Sequence, residues 1–369
     1  MVIGIDASRI AREEKTGTEN YSINIIKALT SIDKKNRYVL YFNKLPRFFD
    51  ISQTNVSTKI LTLPRFWTQF RLAYECLVSP PDILFVPAHT IPVIRRPSLK
   101  TVVTVHDLGE EFLAAYHQFP QKIYLNWSTR YVAAHASHII SISKFTKEDL
   151  KTTLKVPSKR ISVVYEGIDK ELFYQRDKDL IARTRAKYGL AGKYFLYVGT
   201  IQPRKNLVRL IEGFAQANLS DTDLVLVGTK GWFYEDIYKA PEKFSVSNHV
   251  RFLGYVDNED LPILYSGALG LTFPSLYEGF GLPILEAFAC NCPVLTSNIG
   301  SMAEVADFAA LLVDPLDVKD ISFGLRTLAG DSKLREKMVE EGQKRAQDFS
   351  WEKAARETLR VFEKVYQQK

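Results

Sequence analysis

A chain of 369 residues, 46% apolar and 25% charged, is too long for one ordinary core and too apolar to stay disordered, so two globular domains are expected. No run of eighteen apolar residues occurs, so no transmembrane helix is expected. The net charge of +7 is uneven: residues 1–175 carry 24 Lys and Arg against 16 Asp and Glu, and residues 176–369 carry 25 against 26. The basic half suits either a solvated surface or attraction to anionic lipid headgroups or an anionic acceptor. Without a recognised motif or a dense basic run, nucleic acid is not expected as a partner.

In chain order, Met-Val-Ile-Gly-Ile-Asp reads as a buried first strand rather than a signal peptide, because Asp6 interrupts it too soon. Strands are then expected at Val2–Asp6, Tyr38–Phe42, Lys59–Leu63, Ile83–Val86, Thr101–His106, His138–Ser143 and Ile161–Tyr165. The charged stretch Glu166–Tyr188 holds no apolar strand and marks a junction, giving domains 1–175 and 176–349. The pattern resumes at Tyr194–Val198, Leu224–Val227, Val250–Leu253, Gly270–Phe273, Val294–Ser297 and Ala310–Val313. Helices fit between, among them Leu207–Ala217, Glu259–Tyr265 and Leu282–Cys290. Two further helices close the chain, Leu334–Gln347 and Trp351–Tyr366, with Ser350 as N-cap and a stripe of Trp351, Ala354, Ala355, Leu359, Phe362 and Tyr366. Alternating strands and helices predict an α/β protein of two doubly wound, Rossmann-like domains facing a cleft at the carboxyl ends of their strands.

The most informative stretch is 274–290, Pro-Ser-Leu-Tyr-Glu-Gly-Phe-Gly-Leu-Pro-Ile-Leu-Glu-Ala-Phe-Ala-Cys. It follows a strand and opens a helix. Pro283 suits a first helical position, and the N–H groups of Phe280, Gly281 and Leu282 are expected to face an anion. Glu278 stays on the loop and Glu286 falls in the first helical turn. An anion cradle between two hydrogen-bond acceptors fits a nucleotide diphosphate sugar. The competing reading is a helix start whose Glu286 only meets the helix dipole.

Val198-Gly-Thr-Ile-Gln-Pro-Arg-Lys-Asn206 is again strand, turn and helix. Gly199 permits a close turn past Thr200, and Arg204 beside Lys205 suits a diphosphate that must be held and neutralised as it leaves. In Val103-Thr-Val-His106-Asp107-Leu108 an apolar strand ends in a histidine that is either functional or a satisfied core residue, and Asp107 either orients its ring or caps the next segment. In Lys15-Thr-Gly-Thr-Glu-Asn-Tyr21, Gly17 allows backbone approach, and Thr18 offers an N–H and a hydroxyl. Asp221-Thr-Asp223 precedes a strand, at the wrong end of a sheet, and reads as a solvated turn rather than a metal site. Gly-x-Gly-x-x-Gly, Walker A and Gly-x-Ser-x-Gly sequences are absent, so redox, P-loop and esterase chemistry lack their usual marks. Cys76, Cys290 and Cys292 form no ligand pattern or even set, which suits a reducing cytoplasm.

With these segments in this order, the chain resembles the retaining glycosyltransferase family 4, of GT-B fold. The resemblance lies in Glu278-x7-Glu286, Pro203-Arg-Lys-Asn206, Ile140-Ser-Ile-Ser-Lys144, Val163-Val-Tyr-Glu-Gly-Ile-Asp169 and Val250-Arg-Phe-Leu-Gly-Tyr255. It implies an acceptor-binding domain 1–175, a donor-binding domain 176–349 and a helix within 350–369 that crosses back to the first domain. It also implies catalytic roles for His106, Glu278, Arg204 and Lys205. Gly17, Gly199, Thr200, Arg204, Lys205, Glu278, Gly279, Phe280, Gly281, Leu282 and Glu286 would bind the donor, Glu278 at the sugar and Glu286 at the ribose. Two departures stand out: Thr200 occupies a place where many members have Arg, and Gly17 stands alone where paired glycines are common.

The resemblance implies transfer of a hexose, by preference mannose from GDP-mannose, to a hydroxyl of a glycan or lipid-linked glycan, with retention and without a cofactor or metal. Cytoplasmic placement, at the inner face of the cell membrane, follows as an expectation. Arg65-Phe-Trp-Thr-Gln-Phe-Arg71 is either a lipid-facing segment or a core-packing helix with snorkelling ends. The rival readings are a nucleotide-sugar epimerase or hydrolase on the same architecture, and a non-catalytic sugar-nucleotide binder.

Overall fold

The computed structural model describes residues 1–11, 17–46, 53–63, 65–109 and 121–368, with side chains described throughout except at 121–125. The chain divides into two compact units. The first takes the described residues up to 167 together with 350–368, and the second is Ile168–Phe349. The division thus falls eight residues before the boundary expected from the charged stretch.

The first unit holds a parallel sheet of β1 (Val2–Asp6), β2 (Arg37–Phe42), β3 (Val56–Ile60), β4 (Ile83–Val86), β5 (Lys100–Val105), β6 (His138–Ser141) and β7 (Ile161–Val163), in the order β3-β2-β1-β4-β5-β6-β7. The second holds β8 (Lys193–Val198), β9 (Thr222–Val227), β10 (Val250–Gly254), β11 (Gly270–Phe273), β12 (Val294–Ser297) and β13 (Leu311–Val313), in the order β10-β9-β8-β11-β12-β13. The described strand pairs are parallel, as in β1 with β2, β1 with β4, and β8 with β11. Both sheets reverse their order beside their first strand, at β1/β4 and β8/β11, and such a switch point opens a crevice at the carboxyl ends of the strands.

The central strands are apolar along their length because helices cover both faces of a parallel sheet. Ile-Leu-Phe-Val of β4 and Gly-Leu-Thr-Phe of β11 are buried at every position. β3 shows the opposite. It is an edge strand with four of five residues exposed, and it begins at Val56 rather than at Lys59. Val-Ser-Thr-Lys has no apolar run, so the sequence pattern favoured the following Ile-Leu-Thr-Leu instead.

The final helix, Trp351–Gln367, lies in the first unit and packs against the helix Gly17–Ile32. Ser350 is its N-cap, with Oγ accepting from Lys353 N–H at 3.1 Å. Its buried face is Ala354, Ala355, Thr358, Val361, Phe362 and Val365, whereas Tyr366 is 51% exposed. The expected stripe was therefore turned by about one residue at Leu359 and Tyr366. Polar Thr358 interrupts the apolar signal, and only the 3.6-residue period carried through it restores the face. Gly167 makes this crossing possible: a Cβ there would stand 2.2 Å from the backbone N of Trp351.

Candidate active site

In the second unit, the loops leaving β8 and β11 meet at the switch point. After Val198, Gly199 takes φ 148°, and its N–H donates to Val227 O at 2.9 Å. A Cβ on Gly199 would come within 2.8 Å of the Tyr197 hydroxyl. That hydroxyl donates to Thr200 O at 3.2 Å. Pro203–Lys205 then makes one 3-10 turn, ended by Asn206 in the left-handed region at φ 62°. The Asn206 amide donates to Pro274 O at 3.1 Å and to Pro315 O at 2.6 Å, fastening the loops after β11 and β13 to this turn. Leu276 N–H donates to Arg204 O at 2.9 Å. The Pro-Arg-Lys-Asn sequence is thus a pinned turn that aims two cations.

Those cations converge on Glu278. Arg204 Nη1 lies 2.9 Å from Glu278 Oε2 and also donates to Tyr277 O at 3.0 Å, while Lys205 Nζ pairs with Glu278 Oε1. Lys205 is buried and sits over the Phe273 ring at 5.1 Å. Burial alone would raise the Glu278 carboxyl, but Arg204 and Lys205 overcome it and hold the group below the usual carboxylate range. Ser301 Oγ donates to Glu278 O at 2.7 Å and fixes the backbone. The result is a three-charge cluster, buried at Lys205 and Glu278 and half-buried at Arg204, with a net charge of +1.

Gly281 is the N-cap of the helix Leu282–Ala289 at φ 121°, which favours glycine. Pro283 has no N–H and the Ile284 N–H donates to Gly281 O at 2.9 Å, so of the first three helical positions it is Leu282 whose N–H has no carbonyl of its own helix to reach. Phe280, by contrast, turns its ring into the core, edge-on to Phe349 at 5.8 Å, and Gly279 before it is buried. Pro283 is the second helical residue, and Glu286 is the fifth, so Glu286 falls beyond the first turn where it was expected. The helix starts at Leu282 and completes a turn in 3.6 residues, which carries Glu286 inward.

There Glu286 Oε2 accepts from the Tyr265 hydroxyl at 2.8 Å. Burial pushes its carboxyl up to about 7, partly opposed by that hydrogen bond. The two carboxylates of the motif are therefore driven apart, one ionised by its cations and the other retaining its proton to near neutrality. Between about pH 4.5 and 7 an unfolded chain gives up the Glu286 proton while the native one keeps it, so this group costs stability as pH rises through 7. Glu286→Gln is expected to be more stable than wild type by about 1–3 kcal/mol at pH 8, with the gap closing toward pH 4. Denaturant melts of both proteins at the two pH values check this.

In the first unit, His106 follows β5 and is buried. Its Nε2 lies 2.9 Å from Pro87 O, its Nδ1 lies 3.4 Å from Glu166 Oε1, and the Tyr21 ring stands edge-on at 4.7 Å. Asp107 Oδ1 accepts from Gly109 N–H, as a cap does, and Glu166 is the carboxylate at the ring. Sequence reasoning missed that role for Glu166, although the acid stands beside Gly167 just after a strand. Ser143 caps the helix Lys144–Thr152, and Thr146 Oγ1 donates to His106 O at 3.3 Å, which accounts for Ile140-Ser-Ile-Ser-Lys144. Gly17 opens its helix with nothing within 4 Å of where a Cβ would stand, whereas Lys15 and Thr16 lie outside the described residues.

At the β1/β4 switch point, Asp6, Arg9, Asn43, Trp67, Thr68 and Thr90 are among the residues lining a cavity of about 220 Å³. Burial raises the Asp6 carboxyl, although Ser8 N–H and Oγ both donate to it. Asn43 Oδ1 is buried and has no hydrogen-bond partner among the described residues.

Asp221 and Asp223 turn to separate cations, Lys193 at 2.9 Å and Arg251 at 2.6 Å, and Asp223 lies within β9 rather than in a turn. Among the described residues no group of three or more His, Cys, Asp or Glu side chains is placed to hold a metal ion, and no helix is long and apolar enough to cross a membrane. The three cysteines are free and buried, and burial pushes the Cys76 and Cys290 thiols up to about 12.

The family model of glycosyl transferases group 1 matches residues 181–345, and that of Glycosyltransferase Family 4 matches residues 16–172. The chain is 32% identical over 267 residues to O-antigen chain mannosyltransferase B of Escherichia coli, covering 71% of this chain and 70% of that one. It is 28% identical to O-antigen chain mannosyltransferase RfbU of Salmonella typhimurium, covering 88% and 90%. Sucrose-phosphate synthase from Thermosynechococcus elongatus superposes with a TM-score of 0.79 at 22% identity, over 99% of both chains. HepE of Anabaena, solved with UDP-glucose, superposes at 0.75 with 17% identity, over 98% of this chain and 99% of that one. Two Rossmann-like units, the loops at their switch points and these relatives agree: the chain belongs to the GT-B glycosyltransferases.

Proposed function

We propose that this glycosyltransferase moves mannose from GDP-mannose, with retention of configuration, to a hydroxyl of a glycan or lipid-linked glycan. The observation that carries the reading is the pinned pair Arg204 and Lys205 closed on Glu278 beside a helix start. A guanidinium has five N–H donors and an ammonium three, so both can bind phosphate oxygens while still touching Glu278. The transition state gathers negative charge on the leaving phosphate and positive charge on the sugar. Arg204, Lys205 and the Leu282 N–H at the helix start would stabilise the first, and the Glu278 carboxylate would take the sugar hydroxyls and the positive side. Tyr265 orients Glu286 toward its role at the ribose.

The preference for mannose rests on the names of the E. coli and Salmonella relatives. In the first unit, the cavity with Asp6, Arg9 and Asn43 supplies acceptors and donors for sugar hydroxyls, with Trp67 as an apolar wall, and suits the end of a glycan acceptor.

A thermal-shift panel of GDP-mannose, UDP-glucose and UDP-N-acetylglucosamine tests the donor. GDP-mannose at a hundred times its Kd should add about 2.7 kcal/mol of apparent stability. A larger shift with a uridine donor would reassign the nucleotide. Rapid isomerisation or release of free sugar from donor alone would sink the transfer reading in favour of an epimerase or hydrolase.

A further inference from the structure

We infer that the second unit holds a carbohydrate site of its own, a cavity backed by the turn 203–206 that takes one hexose of a glycan chain. The strand order places it. From β8 to β9 to β10 the chain moves one way along the sheet, and from β10 to β11 to β12 it moves the other way. Right-handed crossovers therefore set the helices Leu207–Ala217 and Glu235–Lys243 on one face of the sheet, and Leu261–Gly267 and Leu282–Ala289 on the opposite face. Tyr265 and Glu286 belong to the second pair. The cavity, of about 380 Å³, lies at the start of the first pair, with Pro203, Asn206, Arg209, Phe233, Asp236 and Leu276 in its walls. Neither Arg204 nor Lys205 lines it, so the turn gives its cations to Glu278 and its back to the cavity.

The loop that carries Phe233 is firmly built. Ile201 N–H donates to Thr229 O and Gly231 N–H to Ile201 O, both at 2.9 Å, so the pairing of β8 with β9 continues past the strands. A Cβ on Gly231 would stand 2.7 Å from Thr200 Cγ2, which shows how closely the two loops pack. Phe233 then takes φ 54° and leaves its ring 46% exposed at the cavity wall. A bulky side chain is an outlier in the left-handed region, and a half-exposed ring gains little from burial to offset the strain. Strain of this kind gathers at ligand sites.

The chemistry of the walls selects the occupant. Asp236 is exposed in the first turn of its helix and offers two acceptor oxygens. Arg209 gives one of its N–H groups to Asn206 Oδ1 at 3.0 Å and has others to offer. This acid and this base are the charged residues of the lining, and they cancel, which favours a neutral ligand over a phosphate or a nucleotide. A pyranose answers each feature: its C–H face covers an aromatic ring, and its hydroxyls both donate and accept. The volume falls in the range of small-molecule sites. An acid in a first helical turn would suit the helix dipole without any ligand, but the exposed, strained Phe233 beside it would not be needed.

Holding a sugar other than the reacting one would raise the effective concentration of a long acceptor and favour it over a short one. That the hexose belongs to the acceptor chain rests on the transfer reading; the preference for a neutral sugar does not.

Titrations of the full chain followed by saturation-transfer NMR, with mannotriose, maltotriose and a galactose trisaccharide as probes, test the site. At least one trisaccharide should bind, and excess GDP should not displace it. The variant Phe233→Asn/Asp236→Ala should weaken that binding about tenfold or more while keeping the wild-type melting temperature and thermal response to GDP. Asparagine tolerates φ 54°, and Glu235 keeps an acid in the first helical turn, so the fold is spared. Phe233→Asn alone should weaken binding about threefold, a loss that can be read even if the double variant melts early. In sugar transfer, the double variant should lose about tenfold in kcat/KM on a long glycan and keep its rate on a monosaccharide acceptor. No binding by any probe, displacement by GDP, or variants that bind as wild type does would each overturn the site. Equal losses on long and short acceptors would overturn its hold on the chain. Trisaccharide binding by protein that no nucleotide sugar stabilises would sink the transfer reading and leave the site standing.

Discussion

Glu278→Gln is expected to lower the turnover of sugar transfer on the order of 10²–10³-fold, the scale of removing one preorganised charge from a transition-state site. The amide keeps the size of the side chain and one acceptor oxygen, so the loss falls on charge. Arg204 and the buried Lys205 lose the anion that pairs with both of them, and breaking a buried pair from one side costs about 3–5 kcal/mol. A diphosphate can supply the missing charge. Free nucleotide diphosphate should therefore bind the variant at least as tightly as wild type, while turnover collapses. Calorimetric titration with GDP alongside initial rates separates the two effects. Unchanged turnover would remove Glu278 from the chemistry, and loss of GDP binding together with turnover would make the residue only a scaffold for the cations.

The second large effect is expected at a residue that touches no substrate. Gly228 follows β9 at φ 145°, and a Cβ there would lie 2.0 Å from the carbonyl oxygen of Gly199 and 2.7 Å from its carbon. Backbone cannot yield as a flexible side chain can, so Gly228→Ala must separate the loops after β8 and β9. The expected cost is about 2–4 kcal/mol, from strain at positive φ added to overpacking. The displaced loop is the one that delivers Arg204 and Lys205. The variant should therefore lose its thermal response to nucleotide sugar even at temperatures where it remains folded. Gly189→Ala supplies the comparison, since its φ is 67° but nothing lies within 4 Å of the added carbon. It should cost about 1 kcal/mol and leave the nucleotide response intact. Equal melting temperatures for the two variants would show that the close approach carries no strain.

Much of this arrangement is legible in the sequence, and the exceptions have physical causes. Buried parallel strands announce themselves because both faces are covered, so β1, β4, β11 and β12 coincide with their expected limits. β3 does not, because an exposed edge strand has no apolar run to read. The turn at 203–206 and the glycine loop at 278–281 stand out because a strand, a turn residue and a charged pair fall together. That Glu278 closes on Arg204 and Lys205 is not legible, since the partners are 73 and 74 residues apart and meet only through the β8/β11 switch. Glu286 and Tyr265 meet in the same way, between successive helices. Gly228 left one signal that could have found it: Val227-Gly-Thr229 repeats Val198-Gly-Thr200, and both glycines turn at the carboxyl ends of neighbouring strands. Glu166 left almost none, because its partner His106 lies across β6 from it in the sheet order.

The final helix has a consequence for how the molecule is made. Phe362 is fully buried and stands edge-on to Phe85 of β4 at 5.2 Å, and Ala354, Ala355 and Val365 are shut into the same unit. Ribosomal synthesis delivers the seven strands of that unit by Val163, yet its last core segment arrives only at Trp351–Gln367. Until then, the groove along the helix Gly17–Ile32 that will receive it stays open to water. The second unit, Ile168–Phe349, is complete in sequence before that helix emerges and can fold during synthesis. The unit that emerges first is thus the one finished last, and loss of only residues 351–369 would leave the β8–β13 unit whole while unsealing the other.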